Sequence, residues 1–137
     1  MNIYLDIDGT LIHEDRVHAG KPAEGLADLF LALRAHTVYW LTTHCMDGDP
    51  TYAQALVKTL VPKDLHTDVD RIKPTTWRER KTEAIDFSQE FLWLDNDVYP
   101  EDREYLRTHA LRDKQWLAEV NLERNPDRLR DIVREYF

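Results

Sequence analysis

Two aspartates near the N-terminus have the residue type and the spacing that could do chemistry. Asp6 and Asp8 belong to the run Ile3-Tyr4-Leu5-Asp6-Ile7-Asp8-Gly9-Thr10-Leu11. The apolar residues of this run predict a strand buried on both faces, as in a parallel sheet, and Gly9-Thr10 predicts a turn directly after it. Because a buried unpaired charge is costly, we expect both carboxylates at the carboxyl edge of a sheet, where open α/β sheets bind their ligands.

A second apolar segment ends in acids in the same way. Phe91-Leu92-Trp93-Leu94 runs into Asp95-Asn96-Asp97, and we interpret it as a further buried strand that stops at an acidic turn. Val38-Tyr39-Trp40-Leu41 is a third strand of this kind, and it ends in Thr42-Thr43-His44. We therefore expect these polar residues to line the same edge of the sheet as the two aspartates.

The three segments resemble motifs of the haloacid dehalogenase-like (HAD) superfamily, most of whose members are magnesium-dependent phosphatases. Asp6-x-Asp8-Gly-Thr-Leu resembles motif I, the apolar strand that closes on Thr42 resembles motif II, and the segment beginning at Asp95 resembles motif IV. Motifs I and IV are the specific ones, and the resemblance covers nearly the whole chain. Position 96 departs from the common Asp-Asp pattern, so either Asn96 or Asp97 completes the metal site.

The resemblance implies a role for each matching residue. Asp6 would attack phosphorus and form an aspartyl-phosphate, and Asp8 would act first as general acid and then as general base. Mg²⁺ would be held by Asp6, the backbone carbonyl of Asp8 and Asp95, as a hard cation with oxygen ligands. A threonine hydroxyl would donate to a phosphoryl oxygen, with Thr42 preferred and Thr43 as the alternative. The residues expected to contact substrate are Gly9, Thr10, Thr43 and His44.

Two lysines compete for the role of motif III, which neutralises charge on the nucleophile and the phosphoryl group. Lys73 precedes a proline, as in some phosphatases of the superfamily. Lys81 lies in Lys-Thr-Glu-Ala-Ile, which resembles the corresponding segment of compact members. Lys81 is the preferred motif III lysine, and Lys73 is the alternative.

The remaining segments predict helices that alternate with strands. Pro22 is expected to open a helix that ends near His36 and is buried through Leu26, Leu29, Phe30 and Leu33. Thr51 to Leu60 is expected to be a second helix, with Tyr52, Ala55, Leu56 and Leu60 facing inward. A third is expected to start at Tyr99-Pro100, and a last one at Asn125-Pro126, with Asn125 as N-cap and a buried stripe of Leu129, Ile132, Val133 and Tyr136.

Two further strands complete the prediction, one over Leu65 to Val69 and one over Trp116 to Val120. Strands that alternate with helices predict an α/β fold of Rossmann-like type, a parallel sheet with helices on both faces. The resemblance implies the HAD-like version of that fold.

Length and composition limit the number of domains, the kinds of partner and the cellular location that we expect. A length of 137 residues with 42% hydrophobic residues predicts a single globular domain over 1–137. The net charge of −8 argues against a general nucleic-acid-binding surface but not against an anionic substrate, whose charge a bound cation would offset. The one cysteine, Cys45, is expected to be a buried inert thiol and suits a reducing cytosol. With no signal-peptide pattern and no apolar run that could span a bilayer, we expect a cytoplasmic protein without membrane contact.

The spacing between the motifs leaves no room for the cap domains that HAD proteins insert. Leu11 to Lys21 is polar, carries His13 and His18, and occupies the position of the mobile flap of the superfamily. The site is therefore expected to be open, either to large phosphorylated substrates or to a second copy of the chain that covers it. The sequence does not identify the substrate.

Two other functional classes would use part of the same residue pattern. A non-catalytic or regulatory relative would bind a phosphorylated ligand or a partner protein, but it would not need the acid–base residue Asp8. A receiver-type signalling domain also forms an aspartyl-phosphate, but its acceptor is expected after a central strand and not after the first one. Both readings rank below hydrolysis.

Overall fold

A four-stranded parallel sheet forms the centre of the molecule in the computed structural model, which describes residues 1–110 and 113–137. Its strands are β1 (Asn2–Leu5), β2 (Thr37–Trp40), β3 (Phe91–Asp95) and β4 (Gln115–Glu119). The spatial order is β2-β1-β3-β4, and every pairing is parallel. The N-terminal strand therefore lies inside the sheet, with β2 on one side and β3 on the other.

The strands are apolar on both faces because both faces are covered. Ile3 and Leu5 of β1 belong to one buried cluster, whereas Tyr4 between them belongs to a second cluster on the opposite face. Leu92 and Trp93 of β3 divide between the two clusters in the same way. This period of two is what a strand with two buried faces requires.

Five helices cover the sheet in the part of the chain that the structure describes: α1 (Leu26–Leu33), α2 (Thr51–Lys58), α3 (His66–Asp70), α4 (Pro100–His109) and α5 (Arg128–Tyr136). The buried side chains of α1, α2, α3 and α5 pack on the face of Ile3 and Leu5. On the other face, Leu106 of α4 packs against the cluster that contains Tyr4. The predicted α/β class and parallel sheet with helices on both faces are confirmed.

The strand predicted over Leu65 to Val69 is wrong. This stretch begins at the end of the 3₁₀ turn Lys63–Leu65 and continues as α3. Leu65 and Val69 are both buried although the residues between them are polar, because positions four apart lie on one side of a helix. The sheet consequently has four strands among the described residues, and the predicted fifth one is β4.

The first helix begins later than predicted. Pro22 does not open it but forms an isolated antiparallel bridge with Ile12, and α1 begins at Leu26 after Gly25. Gly25 has φ of 78°, and a Cβ at this position would lie 2.5 Å from Cγ of Arg130, so the position favours glycine and the helix cannot extend backwards through it. The helix also ends at Leu33, before His36, but its predicted buried face of Leu26, Leu29, Phe30 and Leu33 is confirmed.

The second helix is rotated relative to the prediction. Ala53 and Val57 are its buried residues, whereas Tyr52 and Ala55, which were expected to face inward, are exposed. Leu56 and Leu60 are partly buried against the core. Apolar residues occupy several neighbouring positions of this segment, so the sequence pattern fits more than one buried helix face.

The last helix begins three residues after Asn125. Its N-cap is Asp127, and the side chain of Asn125 instead accepts the backbone N–H of Asp127 at 3.1 Å in a turn before the helix. Leu129 and Ile132 are buried as predicted. The other two residues of the predicted stripe, Val133 and Tyr136, are partly buried against the same cluster.

Candidate active site

The carboxyl ends of β1 and β3 meet at the point where the chain order reverses across the sheet. From β1 the chain goes to β2 on one side, and later enters β3 on the other side. Such switch points form the crevice in which open α/β sheets bind ligands. Asp6 follows β1 directly and Asp95 ends β3, and the backbone N–H of Asp6 donates to the carbonyl of Leu94 at 3.0 Å. Both aspartates are buried.

A lysine joins the two aspartates. Lys81 Nζ donates to Asp6 Oδ1 at 3.1 Å and to Asp95 Oδ2 at 2.6 Å, and the lysine is only 9% exposed. Lys73 lies elsewhere. It is exposed, its backbone bridges to Tyr39 of β2, and its ammonium group lies 5.8 Å from the centroid of the Tyr39 ring. Of the two lysines considered from the sequence, the structure therefore brings Lys81 to the acids.

Asp6, Asp95 and Lys81 together have a net negative charge when all three side chains are ionised. Burial and the charge of Asp95 raise the pKa of Asp6 to about 7, although Lys81 opposes the increase. Burial also raises the pKa of Asp95, again against the effect of Lys81. Burial alone would lower the pKa of Lys81, but the two carboxylates together raise it above its ordinary value. Two carboxylates for one ammonium group make this a place where a further cation is favourable.

Neighbouring side chains fix the orientation of both carboxylates. Thr10 Oγ1 donates to Asp6 Oδ2 at 3.2 Å. On the other strand, Trp93 Nε1 donates to Asp95 Oδ2 at 3.2 Å and the backbone N–H of Asp97 donates to Asp95 Oδ1 at 2.9 Å. Thr10, for which the sequence predicts a substrate contact, is buried, and its hydroxyl orients Asp6.

Asp8 lies at the mouth of the site beside a histidine. Its side chain is 43% exposed, and its Oδ2 lies 2.6 Å from His44 Nε2. His44 belongs to the 3₁₀ turn Thr43–Cys45 that follows β2, and its backbone N–H donates to Thr42 Oγ1 at 3.3 Å. The sequence predicted His44 at this edge, but it gave no sign that the ring would pair with Asp8.

The two candidate threonines have different surroundings. Thr42 is buried, and its hydroxyl oxygen caps the 3₁₀ turn. Thr43 is exposed and lines the cleft above Asp6. Thr43, the alternative in the sequence analysis, is therefore the threonine with access to a ligand in the cleft.

A cleft of about 170 Å³ opens over the carboxylates. Glu14, Trp77 and Tyr99 line it although the sequence analysis did not single them out, and partial burial together with the charges of Asp8 and Asp97 raises the pKa of Glu14. The residues that line the cleft are Asp6, Asp8, Glu14, Thr43, Trp77, Lys81, Asp95, Asn96, Asp97 and Tyr99.

Gly9 shapes the floor beside this cleft. It has φ of 75°, and a Cβ at this position would approach Asn96 Nδ2 to 2.1 Å. A larger residue would therefore both strain the turn after β1 and displace Asn96. The substrate contact predicted for Gly9 stays a prediction, and in the structure its lack of a side chain allows the turns after β1 and β3 to approach each other.

A buried aspartate that was not predicted from the sequence, Asp102, holds the turn that carries Lys81. Lys81 begins the 3₁₀ turn Lys81–Ala84, and the next residue, Thr82, donates its backbone N–H and its hydroxyl to Asp102 Oδ1 at 2.9 and 2.7 Å. Asp102 is buried in the first turn of α4. No pattern in the sequence identifies this contact, because Thr82 and Asp102 lie 20 positions apart in different elements.

We expect Asp102→Ala to lower the free energy of unfolding by about 1–3 kcal/mol, because it leaves a buried backbone N–H and hydroxyl without their acceptor. Glu101→Ala is the matched control, since Glu101 lies in the same helical turn and is exposed. Urea unfolding of the two variants measures the difference. Equal stabilities would show that the Thr82–Asp102 contact does not hold the turn that carries Lys81.

No family model, no curated protein and no solved structure matches the chain.

In residues 1–110 and 113–137, no helix combines the length and the apolar composition that crossing a bilayer requires.

Proposed function

We propose that the protein is a Mg²⁺-dependent phosphohydrolase of the HAD-like type, in which Asp6 accepts the phosphoryl group. The observation that carries this proposal is the convergence of Asp6 and Asp95 at adjacent parallel strand ends, with Lys81 hydrogen-bonded to both. Asp8, more exposed and paired with His44, adds an acid–base group at the mouth of the same cleft. A protein that only bound a phosphorylated ligand would not need that group.

The donor set fits magnesium. The cleft presents carboxylate and amide oxygens, the ligands that Mg²⁺ prefers. Its lining, in the part of the chain that the structure describes, contains no thiolate and no cluster of imidazoles, which favour softer metals. The raised pKa values of Asp6 and Asp95 indicate that Lys81 alone does not balance their charge. Asp6, the backbone carbonyl of Asp8 and Asp95 would hold the ion, with Asn96 or Asp97 as a further ligand.

When bound, Mg²⁺ would supply positive charge to the phosphoryl oxygens and keep the carboxylates ionised. Asp6 is the nucleophile in this scheme. Lys81 and Thr10 hold its two oxygens, so the carboxylate is oriented before the substrate arrives. One Asp6 oxygen forms a bond to phosphorus while the bond to the leaving oxygen breaks on the opposite side.

Asp8 acts as the general acid in the first step and as the general base in the second. In the first step it donates a proton to the leaving oxygen, which departs as an alcohol. In the second step its carboxylate takes a proton from the water that attacks phosphorus, which releases inorganic phosphate and regenerates Asp6. His44 Nε2, 2.6 Å from Asp8 Oδ2, orients the Asp8 carboxyl between the two steps.

Charge on the transferring group is stabilised by groups that are already in place. Lys81 Nζ lies between the two buried carboxylates, and Thr43 lines the cleft beside them. Groups fixed before the reaction stabilise a developing charge without the cost of reorganising water. Because the cleft is open and only about 170 Å³ in volume, it has room for the phosphoryl group, and the rest of a substrate would lie outside it.

The test is Mg²⁺-dependent hydrolysis of p-nitrophenyl phosphate. We expect release of p-nitrophenolate that EDTA abolishes, and a fall of about 100-fold or more in Asp95→Asn, which removes a metal ligand. Asp28→Asn is the control, because it removes one exposed carboxylate from α1. Hydrolysis that is independent of the metal, or an equal loss in both variants, would contradict the proposal.

A further inference from the structure

Three ligand-type side chains converge in the loop that follows β1, outside the catalytic cleft. His13, Asp15 and His18 each offer a donor atom, and all of these atoms lie within 4.8 Å of one another. His18 Nδ1 lies 3.0 Å from Asp15 Oδ1, and His13 Nδ1 lies 3.6 Å from Asp15 Oδ2. The centroids of the two imidazole rings are 5.3 Å apart. This spacing brings two nitrogens and a carboxylate around one point.

The buried member of this cluster has no hydrogen-bond partner among the residues that the structure describes. His13 is 7% exposed, and its buried Nδ1 has no partner in residues 1–110 and 113–137, since 3.6 Å to Asp15 Oδ2 exceeds hydrogen-bond length. A buried polar nitrogen without a partner carries a desolvation penalty that native structures avoid. An ion bound to this nitrogen would remove the penalty.

Asp15 is held in the orientation that such an ion requires. Its Oδ1 accepts the backbone N–H groups of Val17 and His18 at 2.9 and 2.8 Å. Its Oδ2 faces His13. The hydrogen bond from the His18 backbone is the main reason that the pKa of Asp15 is lowered, so the carboxylate is ionised at neutral pH.

The surroundings favour a cation. The cluster lies in an open groove of about 650 Å³ between this loop, the residues before α1 and the loop after β4. Glu24 and Glu123 also line this groove, and Arg16 is the basic residue among its lining. Acidic residues therefore outnumber the basic one around the histidines.

We propose that His13, Asp15 and His18 form a binding site for a divalent transition-metal ion of the Zn²⁺ class, separate from the carboxylate site of Asp6 and Asp95. Two imidazoles and one carboxylate are a ligand set that suits zinc, with water in the fourth position. The same set does not suit Mg²⁺, which prefers oxygen ligands.

The ion would cross-link the loop next to the catalytic cleft. It would join residues 13, 15 and 18, and Glu14 between them lines the cleft over Asp6. Metal binding would thereby fix this loop beside the cleft. This inference does not depend on the phosphohydrolase proposal, because it rests on different residues and a different metal.

The test is calorimetric titration of the protein with Zn²⁺ in the presence of excess Mg²⁺. We expect one Zn²⁺ to bind per chain, and His18→Ala to weaken this binding by about tenfold or more. His18 is 54% exposed, so its removal leaves no cavity. Asp15→Asn is the second variant, because the amide oxygen can keep the two backbone hydrogen bonds while the charge is lost.

Two controls separate this site from others. His109→Ala removes an exposed histidine from α4 and is expected to leave Zn²⁺ binding unchanged. Asp95→Asn disrupts the carboxylate site and is also expected to retain Zn²⁺ binding. The proposal is overturned if wild type binds no Zn²⁺, if His18→Ala binds it as tightly as wild type, or if Asp95→Asn abolishes the binding.

Discussion

Asp6→Asn is expected to lower kcat for phosphate-ester hydrolysis by about 10⁴-fold or more while the protein stays folded. The asparagine amide has the shape of the carboxylate but is not a nucleophile, so the phosphoryl group has no acceptor. The surrounding contacts can persist, since the amide oxygen can still accept from Lys81 or Thr10.

The direction in which Asp6→Asn changes the stability of the fold can also be predicted. The pKa of Asp6 is raised from 3.8 to about 7, so the carboxyl group contributes stability below its unfolded pKa and loses that contribution as the pH rises towards 7. A neutral amide undergoes no such loss. At pH 8 and without metal, Asp6→Asn should therefore unfold at a urea concentration no lower than wild type. Steady-state kinetics and urea unfolding measure the two effects, and hydrolysis at the wild-type rate would remove Asp6 from the mechanism.

Lys81→Met is expected to destabilise the protein by about 3–5 kcal/mol at pH 8, because Asp6 and Asp95 lose the cation they share. The loss should shrink at low pH. Without Lys81 the pKa values of both buried carboxyls rise further, and carboxyls with raised pKa values stabilise the fold when protonated. We therefore expect the stability difference from wild type to be smallest near pH 4 and to grow as the pH rises.

Lys73→Met is the matched control for this prediction. Lys73 is exposed, and its ammonium group lies 5.8 Å from the centroid of the Tyr39 ring in a long cation–π arrangement, so its replacement should change stability by less than about 1 kcal/mol. Urea unfolding of both variants at pH 5 and pH 8, without divalent metal, makes the comparison. A pH-independent loss in Lys81→Met, or an equal loss in Lys73→Met, would show that the buried charges are not coupled as described.

The convergence of Asp6 and Asp95 could be predicted from the sequence, because it requires only that each aspartate follows a strand of the same parallel sheet. Asp6 and Asp95 each follow an apolar run, and the carboxyl ends of adjacent parallel strands necessarily meet at one edge. The choice between Lys73 and Lys81 could not be made in this way. Lys81 reaches the acids through a 3₁₀ turn that is held by Asp102 from a distant helix, and local residue patterns contain no information about that contact.

The incorrect predictions of secondary structure concern short segments whose residue patterns are compatible with two structures. Leu65 and Val69 are separated by polar residues and suited an alternating strand, yet they share one side of α3. Gly25 delays α1 because of its left-handed backbone conformation, which the predicted helix pattern does not reveal. The His44–Asp8 pair likewise joins two loops that the sequence does not relate to each other.

The most direct test of the central claim is to trap the phosphoryl group on Asp6. In Asp8→Asn, p-nitrophenyl phosphate should still phosphorylate Asp6, because p-nitrophenolate is a weak base that can leave without an acid, whereas hydrolysis of the intermediate needs the missing base. We predict a burst of one p-nitrophenolate per protein molecule, then slow turnover, and a phosphoryl group on the peptide that contains Asp6 by mass spectrometry. Steady turnover without a burst, or a phosphoryl group on any other residue, would contradict the account.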